Sequence, residues 1–145
     1  MSVDPLSEAR YRYRLAASHL ARAERLLALG DWVGAVHFAQ MAAENFAKAV
    51  IALYEVPTWS HDPSNQLLKL LGRIPQSLEG EIRELAATAR EAAPEHGRST
   101  YGEPEGGLTL DDIYAEAHAR ELAAKARRAG EIAAKVFKSL GVATG

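Results

Sequence analysis

The sequence predicts an all-α protein, an antiparallel up-and-down bundle of four long helices plus one short helix, and three observations carry that prediction. Alanine, leucine, glutamate and arginine recur along the chain while β-branched residues are sparse, and the recurring types lose little rotamer freedom in a helix. Apolar residues step by four and three through several segments, and no run alternates as a strand would. Capping residues, glycines and prolines stand at the ends of several of the periodic runs.

The first helix starts at Asp4, a side chain that caps free amides, with Pro5 in the first helical position where a missing N–H costs nothing. Ala9, Tyr13, Ala16, Leu20, Ala23 and Leu27 form its inward stripe. Gly30 ends it and Asp31 caps the next helix at once, so the short connection forces a hairpin. The second helix, residues 32–54, carries Trp32, Val36, Ala39, Ala43, Phe46, Val50 and Leu53 on one line and Phe38, Ala42, Ala49 and Ala52 on the next. Apolar on more than one side, it belongs at the centre. A bundle of this size leaves such faces uncovered, which predicts a homodimer.

Two prolines break the pattern after Tyr54, and Asp62 followed by Pro63 starts a short helix containing Leu67, Leu68, Leu70 and Leu71. A third long helix covers residues 76–92 with Leu78, Ile82, Leu85 and Ala89 inward, and Pro94 disfavours helical geometry at Ala93. Residues 94–108 read as one long irregular stretch. Thr109 with Asp112 forms a capping box that opens the last helix, which runs to Leu140 along an alanine-rich seam.

Composition excludes much. A chain of 145 residues suits one domain, spanning 1–145, and its 48% apolar and 25% charged residues are ordinary for a water-soluble protein. A net charge of -2 gives no bulk positive field. With 0 cysteines there is no disulfide, no thiolate nucleophile and no Cys-based zinc site. No apolar signal core lies in MSVDPLSEAR, and no stretch approaches the roughly 20 apolar residues that span a bilayer, so a cytoplasmic location without membrane contact is expected. His19, His37, His61, His96 and His118 form no His-x3-His or His-Glu-x2-His pair, and no Walker loop or nucleophile elbow occurs. Neither a metal nor a cofactor is predicted.

The polar candidates fall in four places. His37, Met41, Glu44 and Lys48 share one side of the second helix, with Glu44 to Lys48 in the favourable i, i+4 order. Either this is a partly solvated face with one weak ion pair, or it lines a cleft or dimer contact. His61 precedes a helix start, where it bonds loop backbone or receives an anion. His96, Arg98 and Tyr101 lie in the irregular stretch and offer a proton carrier, a planar donor fork and a stacking ring, unless that stretch is simply a solvated loop. Arg10, Arg12, Arg14, Arg22 and Arg25 make the first helix locally basic, a solvated face or a phosphate contact.

The segment Ala23 to Val50, with Leu26-Leu27, Gly30, Trp32, Phe38, Gln40, Ala42, Ala43, Glu44 and Lys48 in place, resembles the HEPN family of small helical bundles, named for higher eukaryotes and prokaryotes nucleotide-binding. His61 followed by Leu67-Leu68, then Arg98 to Tyr101, then Ile113-Tyr114, extend the resemblance over nearly the whole chain. It implies a homodimeric bundle that binds nucleotide or RNA and pairs with a minimal nucleotidyltransferase in toxin–antitoxin systems. Arg98, Tyr101, Glu44, Lys48 and His61 are the candidate ligand-binding residues.

Several branches of the family are metal-independent ribonucleases with an Arg-x4-to-6-His motif, in which the histidine moves a proton and the arginine stabilises phosphorane-like charge. After Arg98 the histidine positions hold Glu103, Pro104 and Glu105. Arg90 and His96 have the required spacing but straddle Pro94, whereas Arg14 and His19 lie about 140° apart on one helix. The enzyme reading therefore rests on His96 with Arg90 or Arg98, and the third reading is a structural helical oligomer without ligand.

Overall fold

Asp4 accepts a hydrogen bond from the Leu6 amide and starts α1 (Pro5–Ala28), which Leu29 and Gly30 close. Gly30 has φ 79°, a left-handed conformation that side chains resist, and Asp31 then accepts from the Gly34 amide to start α2 (Trp32–Ala52). The computed structural model describes residues 4–145; residues 1–3, part of the N-terminal stretch read for a signal core, lie outside the described residues. Next come α3 (Ser64–Lys69), α4 (Glu79–Ala92), α5 (Glu95–Tyr101), α6 (Leu110–Ile113) and α7 (Glu116–Ser139). Among the described residues there is no strand, only an isolated bridge between Glu103 and Leu108. The protein is an all-α helical bundle. No helix among the described residues is long and apolar enough to cross a membrane.

α2 is the axis of the bundle, and α1, α7, α4, α5 and α3 all pack on it. Ala35, Val36, Ala39, Ala42, Ala43, Phe46, Val50 and Ile51 are buried. Its several apolar faces are thus covered by the chain itself, which removes the uncovered second helix as a reason for dimerisation. On the α7 side the alanine seam permits close approach: a Cβ on Gly130 would lie 2.9 Å from Phe46 Cζ. Phe46 and Phe137 each hold the Tyr13 ring at 5.4 Å, so one aromatic knot ties α1, α2 and α7 together. Ion pairs from α7 to α4, such as Arg128–Glu84 at 2.7 Å, run along the outside and contribute little each.

The second half of the chain differs from expectation in three places. Ala93 and Pro94 both keep right-handed helical geometry (φ -52° and -60°), so Pro94 leads into α5 instead of opening an irregular stretch. Much of the 94–108 stretch is therefore α5 and a single 3-10 turn at Pro104–Gly106. The Thr109–Asp112 capping box forms, yet the helix it opens lasts one turn. Tyr114 and Ala115 are extended, and this break points the Tyr114 phenol into a buried carboxylate before α7 starts.

Candidate functional site

Gln40, Glu44 and Lys48 follow one another at i, i+4 and i+8 along α2, one line on the helix surface. That line is not solvated: Gln40 is 0% and Lys48 4% exposed. α5 packs on α2, and the connection preceding α3 brings His61 onto Glu44. Glu44 Oε2 accepts from Lys48 Nζ at 3.0 Å. Its Oε1 accepts from Gln40 Nε2 at 3.0 Å and lies 3.1 Å from His61 Nδ1. Gln40 Oε1 in turn lies 3.1 Å from His96 Nδ1, and His37 Nδ1 lies 2.8 Å from Ser99 Oγ. The His61 and His96 rings are stacked, 3.6 Å apart and 18° from parallel.

Partner chemistry fixes the protons. A carboxylate only accepts, so Gln40 must turn its amide nitrogen to Glu44 and its oxygen to His96. His96 Nδ1 then donates to Gln40, and His61 Nδ1 donates to Glu44. When neutral, each imidazole keeps Nε2 as a free lone pair. His96 titrates below the ordinary histidine range because burial disfavours its charged form and His61 lies against it, while Glu44 pulls the other way. The cluster therefore offers a buried ion pair, one base held toward its neutral form and a second, half-exposed imidazole.

A second polar cluster sits on the other flank of α5. Glu95, 6% exposed, accepts from Arg98 Nη1 at 3.0 Å and from the Tyr114 hydroxyl. Arg98 Nη2 also meets Glu103 at 2.7 Å, and Arg98 Nε is buried without a partner. Burial opposes the Arg98 charge, yet Glu95 and Glu103 outweigh it and raise its pKa. Tyr114 is pushed far above the tyrosine range by burial and by donating to Glu95.

The structure brings Glu44, Lys48, His61 and His96 together and separates the arginines from them. Arg98 belongs to the Glu95 cluster. Arg90 donates to Ser64 Oγ and Asn65 Oδ1 of α3, so neither guanidinium hydrogen-bonds a histidine. Tyr101 is 79% exposed. The His61 ring bonds the Glu44 carboxylate, not loop backbone, and the Ser64 amide at the start of α3 is taken by Asp62. The Glu44–Lys48 pair is not the weak solvated pair of the simpler reading, its side chains being 10% and 5% exposed.

Sequence reasoning placed His37 among the polar candidates of the second helix but did not select Gln40 or Ser99 as site residues. Gln40 stands four before Glu44, and Ser99 three after His96, so the helical spacing that selected Glu44–Lys48 also marks them once residues 95–101 are known to be helical. On α1, Arg10 pairs with Asp4 and Arg12 with Glu8, and Arg22 lies 5.1 Å over the Phe38 ring.

The sequence model of the HEPN domain matches residues 9–138. No curated protein and no solved structure gives a significant match. The matched range takes in α2 with its buried Gln40–Glu44–Lys48 line, the stacked histidines and both flanks of α5, and on that extent the chain belongs to the HEPN domain family.

Proposed function

We propose that the protein is a homodimeric module that binds a nucleotide or RNA phosphate and docks a minimal nucleotidyltransferase partner in a toxin–antitoxin-type system. The phosphate sits on the Glu44–Lys48–His61–His96 cluster. The observation that carries this reading is the imidazole stack on a buried ion pair, with the His61 side chain 54% exposed at its outer edge. Glu44 and Lys48 cancel, so no net negative charge opposes a phosphate oxygen, and a proton taken up at an imidazole Nε2 together with the phosphate would give the cluster the matching positive sign. Trp59, two residues before His61, is 96% exposed and supplies a surface on which a base can stack.

Anisotropy of a labelled short RNA, and calorimetry with mononucleotides, test this in EDTA. His61→Ala is expected to weaken binding by about tenfold or more, about 1.4 kcal/mol. Trp59→Ala weakens it less, and Arg98→Ala leaves it unchanged. No binding by the wild-type protein, or equal binding by His61→Ala, overturns the reading.

A metal-independent endoribonuclease is favoured by one specific observation, the pairing of a neutral, low-pKa His96 with a second imidazole, which suits proton transfer to and from a ribose hydroxyl. RNA cleavage in EDTA that disappears in His96→Ala supports it. Clean protein without cleavage leaves the binding module.

A further inference from the structure

We propose that Glu44, His61 and His96 form a transition-metal site that takes Zn2+ or a similar divalent ion. One donor atom from each of the three lies within 4.8 Å of the others, and among the described residues no other three such groups do. Imidazole nitrogen and carboxylate oxygen are the donors that suit zinc. A tetrahedral ion with ligands about 2.1 Å away separates them by about 3.4 Å, and Glu44 Oε1 already stands 3.1 Å from His61 Nδ1, whose proton the ion displaces or moves to Nε2 when it enters between them. One ion cannot lie in the planes of two stacked rings, so binding turns the half-exposed His61, carried on the connection between α2 and α3, out of the stack and toward His96 Nε2 and Glu44.

The outer groups are in place. Lys48 holds Glu44 Oε2, Oε1 accepts from Gln40 and faces His61, and Gln40 accepts from His96 Nδ1, which presents Nε2 as the ligand atom. Three protein ligands leave a fourth position open, the arrangement of a reactive zinc site as opposed to a closed structural one. Charge then selects what fills it. Zn2+ beside Lys48 gives the cluster a surplus of two positive charges over Glu44, so the fourth ligand is anionic, a hydroxide or a phosphate oxygen. No Cys or paired-His spacing announces this site, because its ligands come from α2, a connection and α5.

The site does not require the phosphate-binding reading, and one experiment separates them. Protein stripped with EDTA and dialysed is titrated with ZnCl2 near neutral pH by calorimetry. One Zn2+ per chain is expected, with a dissociation constant on the order of micromolar. His61→Ala and Glu44→Gln each weaken it by about tenfold or more, about 1.4 kcal/mol. His118→Ala, on α7 and outside the cluster, leaves it unchanged. Circular dichroism checks that the Glu44→Gln bundle is intact, and the exposed His61→Ala keeps the test sound if it is not. Failure of the wild-type protein to bind Zn2+, or equal binding by His61→Ala and the parent, overturns the site. A mononucleotide titration of the stripped protein in EDTA then shows whether the phosphate reading stands without it.

Discussion

The two flanks of α5 use charge in opposite ways. On one flank Glu95 spends both carboxylate oxygens on Arg98 and Tyr114, and Arg98 spends its remaining terminal nitrogen on Glu103. The one unpaired donor, Arg98 Nε, is buried away from any ligand, and the cluster acts as a clasp that fixes α5 against the extended Tyr114. On the other flank His96 and Ser99 reach α2, where the two stacked imidazoles keep their Nε2 atoms free of the partners that hold Nδ1. Polar residues thus mark function by the bonding capacity they have left, not by their charge.

The largest break in that comparison is Glu44→Ala. It strands the Lys48 ammonium in a buried setting, and removal of one partner of such a pair costs about 3–5 kcal/mol, read as a lower urea midpoint. Tyr114→Phe opens the clasp at a hydroxyl bonded to a charged group and costs about 1.5–3 kcal/mol in the same measurement, with RNA affinity kept. Arg98→Ala is milder, about 1 kcal/mol after discounting for its 37% exposed side chain, and also leaves RNA affinity intact.

Acid sharpens the comparison from the open flank. His96 and His19 both titrate below the ordinary histidine value in the fold, so the unfolded chain binds the extra protons. Stability is full above the unfolded histidine pKa and falls as pH drops through it toward the lower folded values. The thermal midpoint is expected to decline on that descent, and His96→Asn flattens the decline without abolishing it, since His19 remains. Tyr101→Ala is the smallest change, within about 0.5 kcal/mol, as the ring is exposed.

The first half of the fold was legible because its signals are local. Asp4-Pro5 and Gly30-Asp31 fix both ends of a hairpin whose stripes need no distant partner. The region from 93 to 115 was not, because its geometry is set across the fold. Pro94 continues in helical geometry where α5 packs on α2, and the helix after Thr109 breaks because Tyr114 bonds Glu95, nineteen residues back. The site divides the same way. Glu44 and Lys48 were legible from their i, i+4 spacing, and His61 and His96 as single candidates, while their meeting was not. Arg98, attractive as a donor fork, turned out to be held by Glu95, an i, i+3 partner visible only once residues 95–101 are known to be helical, and by Glu103, which no helical spacing pairs with it.

The central claim is that ligand enters at the imidazole stack and not at the arginine clasp. Nitrogen-15 spectra of the five histidine rings, recorded during a mononucleotide titration in EDTA, test it most directly. The account predicts that His61 and His96 shift together and saturate while His118 stays still. Shifts confined to His118 beside Tyr114, or none at any ring while binding is measurable, would contradict it.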